Sequence, residues 1–391
     1  MEKEILNNRN IVSVSWGDHL VFGEADGRLT SPESLRRRMK SWKKELGATT
    51  VHWRQERSLL ESYFFAAKGF KNPIERKKVQ WDDFEFIPKI AHEEGLNANL
   101  YVSLFDEGWP LAPKEIREVS YHNSMHRQHT SRQSKFSYRY PEFTIIDKNG
   151  NKQWGVLCLA YSQVRKYFIE NFLNLLKGYE FDGLFVCLRS QSRPADYGDQ
   201  YGFNEPIRQE FKRRYGKDIL KDDFDRQAWR DLLGEYLTLF LSELRAELNK
   251  IKVRLSIGVP LGDIIGPPMG NSSLHWREWV KRNLIDELII NQNSSQCPSM
   301  WHQLWPMHRG NGYLQNYLNG YNLPPLLQHM DEVYFPYFKK SKAKLFVARQ
   351  WNQRSEKEEN EILKHPAVSG LVFGSFRLDN PGPISRGDWR T

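Results

Sequence analysis

Short runs of β-branched and apolar residues alternate along the chain with segments whose apolar positions recur at helical spacing. This alternation is typical of parallel βαβ construction. Eight runs are predicted to be strands: IVSVSW from Ile11, TTVHWR from Thr49, LNANLYVSLF from Leu96, GLFVCLR from Gly183, RLSIGV from Arg254, DELIIN from Asp286, KLFVAR from Lys344 and GLVFGSF from Gly370. Eight strands with helices between them predict a closed (β/α)8 TIM barrel rather than an open sheet.

Two helices are marked clearly in the sequence. Ser31 followed by Pro32 predicts a helix start, with a capping serine and a proline in the first turn. The apolar stripe of that helix is Leu35, Met39, Trp42 and Leu46. A second, longer helix is predicted from about Asp225 to Asn249. Its inward positions are Trp229, Leu232, Leu233, Tyr236, Leu237, Phe240, Leu241 and Leu244.

The chain is predicted to be one domain over residues 1–391, because no linker divides it and barrels of this length are common. About fifteen residues follow the last strand, so we expect the eighth helix to be short or missing. The connections after the third and fourth strands, 106–162 and 189–211, are longer than a barrel turn requires. A barrel keeps its site in the loops at the C-terminal ends of its strands, so the ligand is expected there.

The bulk composition narrows the range of partners. The net charge is +9, and the basic residues are spread along helical segments such as SLRRRMKSWKK and EFKRRYGKD. Such spacing is typical of solvated helix faces, and no nucleic-acid-binding motif accompanies it. No apolar run is long enough to cross a membrane. We therefore expect neither a nucleic-acid partner nor a membrane span, and no cofactor, since no glycine-rich dinucleotide loop follows the first strand.

Arginines follow several predicted strands. Arg54, Arg349 and Arg377 come after the second, seventh and eighth strands, and Arg189 ends the fourth. Guanidinium groups that converge at one rim favour an anionic ligand, which they bind in bidentate fashion. For Arg189 the alternative is an ion pair with Asp196 or Asp199 in its own loop. The 13 Trp and 17 Tyr add flat amphipathic faces of the kind that stack on sugar rings.

A resemblance to a known family begins at YPEFTIIDKNG, followed by LCLAYSQVRKYFIENFLNLL and YEFDGLFV. This ordered run, together with YGFNEPIRQEFKRRYGKDI, resembles the bacterial putative glycosyl hydrolases described as family-10-like, over about Ile11 to Asn293. The resemblance implies a (β/α)8 barrel that acts on carbohydrate. One position departs from the family: in FDGLFVCLRS, Cys187 stands where the family strand carries an aspartate. Asp182, at the start of that strand, is expected to be a structural turn residue.

Because glycoside hydrolysis generally uses two carboxyl groups, carboxylates just past strand ends are the candidates for acid and base. Asp263, in a Gly- and Pro-rich loop, comes first, with a turn-capping role as its alternative. Glu205 is second, with the alternative of a first-turn acid in a helix capped by Asn204. Asp199 and Asp106 complete the predicted set.

The predicted substrate-binding residues surround the same strand ends. They are Arg189, Arg54, Arg349, Arg377, His52, Trp16, Trp109, Trp351 and Asn291. His122, His126 and His129 have helical spacing but lack an acidic third ligand, so we expect a solvated or substrate-lining loop rather than a zinc site. Cys158 and Cys187 lie in apolar runs and are predicted to be small core residues.

Two functions follow as hypotheses. The first is a glycoside hydrolase acting on a poly- or oligosaccharide with acidic groups. The alternative is a non-catalytic carbohydrate-binding barrel, or another sugar-transforming barrel enzyme, which the cysteine at position 187 favours. The N-terminus has no apolar segment of a signal peptide, so we expect a secreted or periplasmic protein whose leader has been removed, or else a cytoplasmic one.

Overall fold

The structure is a computed structural model that describes residues 9–14, 31–55, 62–68, 82–111, 130–190, 199–265, 272–290, 325–349 and 356–374. Twelve strands lie in these ranges: β1 Asn10–Val14, β2 Ala48–Arg54, β3 Tyr63–Ala66, β4 Asn97–Phe105, β5 Thr130–Gln133, β6 Thr144–Ile146, β7 Lys152–Leu157, β8 Gly183–Ser190, β9 Arg254–Gly258, β10 Glu287–Ile290, β11 Lys344–Arg349 and β12 Val368–Gly374.

Eight of these strands form a closed barrel in the order β1-β2-β4-β8-β9-β10-β11-β12, with β12 returning to β1. Every pairing around the ring is parallel. These are the eight strands that the sequence predicts, so the predicted TIM barrel is confirmed. The four remaining strands form two small antiparallel sheets, β3 with β5 and β6 with β7, which the sequence analysis did not foresee.

The helices surround the barrel. They are α1 Pro32–Leu46, α2 Asp83–Glu93, α3 Lys135–Arg139, α4 Ser162–Leu176, α5 Glu205–Tyr215, α6 Arg226–Ile251, α7 Trp276–Lys281, α8 Leu326–His329, α9 Phe335–Phe338 and α10 Glu356–Lys364. A 3₁₀ turn spans Pro141–Phe143, and a π-helical turn, Met330–Tyr334, joins α8 to α9. The residues after β12, where the eighth helix was expected to be short or missing, lie outside the described part of the chain.

Both predicted helices are confirmed. Ser31 caps α1, and its hydroxyl accepts the backbone N–H of Ser34, while the Ser34 hydroxyl accepts the N–H of Ser31. This reciprocal pair satisfies two otherwise unpaired N–H groups of the first turn. In α6 Asp225 is the N-cap, and the predicted inward stripe is buried except for Tyr236, which is half-buried.

The apolar core has two parts. The larger part lies between the strands and the helices. The smaller part fills the barrel and consists of Ile11, Tyr101, Phe185, Cys187, Ile289, Phe346, Ala348 and Val372. Because successive side chains on a strand alternate between faces, these residues identify the inward face of six strands: β1, β4, β8, β10, β11 and β12. Cys158 and Cys187 are both buried, as predicted.

Aspartates at strand starts connect neighbouring strands at the N-terminal end of the barrel. Asp182, before β8, accepts the backbone N–H of Ala98 in β4 at 2.8 Å and contacts the His92 ring at 2.9 Å. Asp286, before β10, accepts the N–H of Leu255 in β9 at 2.7 Å and pairs with Arg245. The structural role predicted for Asp182 is therefore confirmed.

The basic helical stretches are paired with acids on the surface. Arg36 of α1 contacts Glu93 and Glu94, and Arg213 and Arg214 of α5 both contact Glu210. This agrees with the expectation of solvated helix faces. Among the described helices, none is both long enough and apolar enough to span a bilayer.

Candidate functional site at the C-terminal end of the barrel

Small residues form the inward face at the upper end of the barrel. Ser103 of β4 is beside Cys187 of β8, which is beside Gly258 of β9. On the other side Ser13 of β1 is beside Gly374 of β12. Ser103, Ser13 and Gly374 are partly exposed. Among the described residues, no atom lies within 4 Å of a Cβ atom added to Gly374. Within this part of the chain, the upper layer of the barrel therefore leaves open space above the aromatic and apolar residues beneath it.

Three charged residues, Arg54, Asp106 and Arg132, meet beside this space, and we call them the rim cluster. Arg54 Nη2 lies 2.5 Å from Asp106 Oδ2. Arg132 Nη2 lies 3.1 Å from Asp106 Oδ1 and donates to the Asp106 carbonyl oxygen at 2.7 Å. All three side chains are largely buried. One carboxylate is thus shared by two guanidinium groups.

The strands determine where each member of the rim cluster lies. Arg54 ends β2 opposite Tyr101 of β4, and its guanidinium carbon is 5.4 Å from the centroid of the Tyr101 ring. Since Tyr101 belongs to the interior cluster, Arg54 covers the barrel interior from above. Asp106 follows the last residue of β4, so it reaches the same rim from the adjacent strand.

Arg132 comes from β5, which lies against the loop after β4. The backbone N–H of Trp109 donates to the carbonyl oxygen of Arg132 at 2.7 Å. Gly108 makes this close approach possible: its φ is +73°, and a Cβ atom there would lie 1.9 Å from the Arg132 carbonyl oxygen. Trp109 itself is half-buried at this edge, and its predicted role as a sugar-binding aromatic stays a prediction.

Among the described residues, the rim cluster has two guanidinium groups and one carboxylate. Glu107, next to Asp106, faces away towards α4, where it accepts a hydrogen bond from the Tyr167 hydroxyl at 3.0 Å. Burial raises the pKa of the Glu107 carboxyl above its ordinary value, which favours its neutral form. Two guanidinium groups therefore face one shared carboxylate, an arrangement that suits an additional anionic group from a ligand.

Asp263 lies past the end of β9 and contacts α7. Its Oδ1 accepts hydrogen bonds from Trp276 Nε1 at 2.7 Å and Arg277 Nη1 at 2.8 Å. Its side chain is 47% exposed. Both contacts use the same oxygen, which leaves Oδ2, among the described residues, available on the exposed side. Asp263 is therefore held in position but remains accessible, as an acid–base group requires.

A histidine that the sequence analysis missed lies near Asp263. His329 is buried at the junction of α8 and the π-helical turn, and its ring centroid is 5.5 Å from that of Tyr334. The Tyr334 hydroxyl in turn accepts the N–H of Gly262, next to Asp263. Within the described chain, neither ring nitrogen of His329 has a hydrogen-bond partner. Burial lowers its pKa, and the Asp263 carboxylate opposes that effect.

The structure does not bring Glu205 and Asp199 to the rim cluster. Glu205 is the first residue of α5, exposed, with contacts to Arg208 and Gln209 in its own helix. Asp199 is buried and forms a two-point ion pair with Arg230 of α6 at 2.9 and 2.6 Å. These contacts match the alternative of a first-turn acid for Glu205 and give Asp199 a loop-anchoring role. Their predicted catalytic roles stay predictions.

Two predicted ligand-binding residues occupy positions that do not suit that role. His52 is fully buried in the barrel, where its ring stacks on Phe185 at 4.3 Å. Arg349 follows the inward-facing Ala348, so it points out of the barrel, where it is 1% exposed and contacts Glu358 of α10. The predicted convergence of Arg349 with Arg54 is therefore corrected, because adjacent residues on a strand face opposite sides.

Several of the residues predicted to bind substrate or line its loop are not among those that the structure describes. Seven of them lie outside the described residues: Arg377, Trp16, Trp351, Asn291, His122, His126 and His129. The side chain of Arg189 also lies outside the described part, although its backbone lies in β8. In the part of the chain that is described, no group of three or more His, Cys, Asp or Glu side chains is placed to hold a metal ion.

Comparison with known proteins shows the fold. No family model and no curated protein matches the sequence. Among solved structures, the catalytic domain of a β-amylase from Paenibacillus polymyxa is similar with a TM-score of 0.50 at 10% identity, covering 98% of this chain and 97% of that one. The PgaB (BpsB) glycoside hydrolase domain from Bordetella bronchiseptica has a TM-score of 0.49 at 13% identity, covering 96% of each chain.

The chain shares the β-amylase barrel fold. Because the identity is 10%, this similarity establishes the architecture and not the activity or its residues. The resemblance to the family-10-like glycosyl hydrolases, and the replacement of the family aspartate by Cys187, stay predictions. The structure adds that Cys187 faces the barrel interior, as one of the small residues of the upper layer.

Proposed function

We propose that this protein is a glycoside hydrolase whose substrate is a poly- or oligosaccharide bearing carboxylate or sulfate groups. The observation that carries the proposal is the rim cluster, in which two largely buried guanidinium groups share one carboxylate at the C-terminal end of the barrel. Anionic groups of a sugar match the planar donors of arginine, and the small residues of the upper layer leave space for a ring.

Within this proposal Arg54 and Arg132 bind the anionic substituent, and Asp106 orients both guanidinium groups. Asp263 acts as acid or base, since it is fixed through Oδ1 and half-exposed. Asp106 is the proposed second carboxylate, because it also follows a barrel strand end, whereas Glu205 pairs within α5. Two such groups on opposite sides of a glycosidic bond supply the proton transfer and the nucleophile or base.

A non-catalytic carbohydrate-binding barrel is the second candidate. It is favoured by Cys187, an apolar interior residue where the resembling family carries an aspartate. The barrel mouth and the rim cluster would then bind the same anionic sugars without cleaving them.

The test is release of reducing ends from matched pairs of glycans, uronate-containing or sulfated against neutral. We expect the wild type to prefer the anionic member. Arg54→Lys keeps the charge but loses the two-point contact, and it should lower kcat/KM on the anionic glycan about 10- to 100-fold. Asp263→Asn should lower kcat about 100-fold or more. Asp223→Asn, an exposed loop carboxylate, is the matched control.

The outcomes separate the candidates. Binding of anionic glycans without turnover, weakened in Arg54→Lys, would support the non-catalytic barrel. Full turnover in Asp263→Asn would remove that residue from the mechanism. An absence of both binding and cleavage across the panel would reject the proposed substrate class.

A further inference from the structure

An exposed cluster of aromatic residues lies on the small sheet beside the rim cluster. Tyr63 of β3 is 39% exposed and Tyr138 of α3 is 53% exposed. Their ring centroids are 4.8 Å apart, and Phe65 of β3 lies 5.9 Å from Tyr138 in a stacked arrangement. We call Tyr63, Phe65 and Tyr138 the aromatic platform. Exposed aromatic rings that lie together in this way are unusual on a solvated surface and indicate a binding function.

The support under the platform is ordered. Ser134 caps α3 and accepts the N–H of Ser137, whose hydroxyl accepts a hydrogen bond from Gln133 of β5. Phe136, in the same helix, stacks on Tyr167 of α4 at 4.0 Å. Tyr138 therefore stands on a short helix that is connected both to the sheet and to the outer helical layer.

The platform is continuous with the rim cluster through β5. Tyr63 and Phe65 pair with Gln133 and Ser131, the residues on either side of Arg132. Arg132 itself reaches Asp106 from the opposite face of this sheet. The platform and the rim cluster therefore lie on opposite faces of the same two-stranded sheet, and a chain molecule bound at the rim would reach the platform by crossing the edge of this sheet.

The charge around the platform favours an anionic occupant. Lys135 and Arg139 are exposed on α3, and the segment 130–141 contains no acidic residue. Tyrosine faces stack on sugar rings, while neighbouring cations bind their acidic substituents. Within the described residues neither Lys135 nor Arg139 has an acidic partner, and together with the aromatic faces these two basic side chains fit a polysaccharide that carries carboxylate or sulfate groups.

We propose that the aromatic platform binds additional sugar units of an anionic polysaccharide whose reacting part lies at the rim cluster. The inference rests on the proposed function and adds to it a preference for long chains. A chain too short to extend beyond the rim gains nothing from the platform, whereas a polymer gains the stacking contacts of Tyr63 and Tyr138.

The test compares chain lengths. The dissociation constant of a uronate-containing polysaccharide is measured by affinity electrophoresis, and that of a short oligosaccharide of the same sugar by calorimetry. Tyr138→Ala should weaken polymer binding about 5- to 10-fold, and Tyr63→Ala with Tyr138→Ala further, with less than about a twofold change for the short ligand. Tyr215→Ala is the control, because Tyr215 is similarly exposed but lies on α5.

The two proposals fail differently. If the wild type neither binds nor cleaves the short anionic ligand, the proposed function is wrong. If it does so and the Tyr138→Ala variant keeps full polymer affinity, only the platform inference is overturned. Equal wild-type affinity for neutral and anionic polymers would overturn the anionic assignment. Dimerisation in sedimentation that is lost in Tyr138→Ala, with polymer binding unchanged, would assign the platform to a second copy of the chain instead.

Discussion

At the scale of single residues, the barrel interior contains polar groups that are kept neutral. His52 stacks on Phe185 and lies 3.3 Å from the Asn99 side-chain nitrogen. Burial lowers the pKa of His52 to about 3, and the positive charge of Arg254 acts in the same direction. The ring is therefore an uncharged structural element inside the barrel, although its place near a strand end in the sequence predicted a ligand contact.

This interior histidine should make the fold sensitive to acid. The unfolded chain protonates His52 near its ordinary pKa of about 6.5, while the folded chain does not until about pH 3, so stability is lost as the pH falls between these values. In urea unfolding, His52→Gln should reduce the loss of unfolding free energy between pH 7 and pH 4 by about 3 kcal/mol. An unchanged pH dependence would show that His52 is already charged in the folded state.

At the scale of elements, helix α6 packs closely against the loop that carries Asp263. Gly234 is buried in the middle of α6, and a Cβ atom there would lie 2.3 Å from the Ser273 carbonyl oxygen. Ser273 donates its backbone N–H to Arg230 of α6, and the neighbouring Leu274 donates to the Asp263 carbonyl oxygen. The position of Asp263 thus depends on close contact between this helix and its loop.

Replacing Gly234 tests that contact. In an open helix Gly→Ala is stabilising by up to about 1 kcal/mol. Here Gly234→Ala should instead lower the free energy of unfolding by about 1–3 kcal/mol, since the loop backbone must move. Asn249→Ala, an exposed position near the end of α6, is the control and should be neutral within about 0.5 kcal/mol. Equal stability of the two variants would mean that the loop backbone at Ser273 can move away from α6 without lowering the free energy of unfolding.

At the scale of the whole molecule, the barrel is closed by contact between the two ends of the described chain. β12 pairs with β1, the Arg9 N–H donates to the Ser369 carbonyl oxygen at 3.1 Å, and the Leu371 N–H donates to Asn10 Oδ1 at 2.9 Å. Since the first and last strands are neighbours, the ring forms only when the remaining six strands are in place. Closure therefore links the stability of distant parts of the sequence.

Alanine substitutions at two glycines of β12 test the pairing of β12 with β1, one as the test position and the other as its control. A Cβ atom at Gly370 would lie 2.4 Å from the Arg9 carbonyl oxygen, whereas one at Gly374 would meet no atom of the described residues within 4 Å. Gly370→Ala should lower the melting temperature and cost about 1–3 kcal/mol, because β1 must shift. Gly374→Ala should stay within about 0.5 kcal/mol of the wild type. A larger loss for Gly374→Ala would contradict the open upper layer.

The candidate site was predicted only in part. Asp106, Arg54 and Asp263 follow strand ends, and the structure places each of them at the C-terminal end of the barrel. Arg132 was missed, because it lies 26 residues after Asp106 in a connection whose two-stranded sheet has no strong sequence signal. Arg349 was expected at the rim, since its position in sequence is a strand end and only the pleat decides the side to which it points.

The sequence by itself determined the eight barrel strands, the cap of α1, the approximate range of α6 and the single-barrel architecture. Apolar runs, helical spacing and capping residues are local signals, and they act within a few turns of the chain. Tertiary structure alone decided that Arg132 meets Asp106, that Tyr63 meets Tyr138 and that His52 is enclosed. Such side-chain contacts depend on strand register, on the pleat and on the path of long connections, and none of these is encoded in a short stretch of residues.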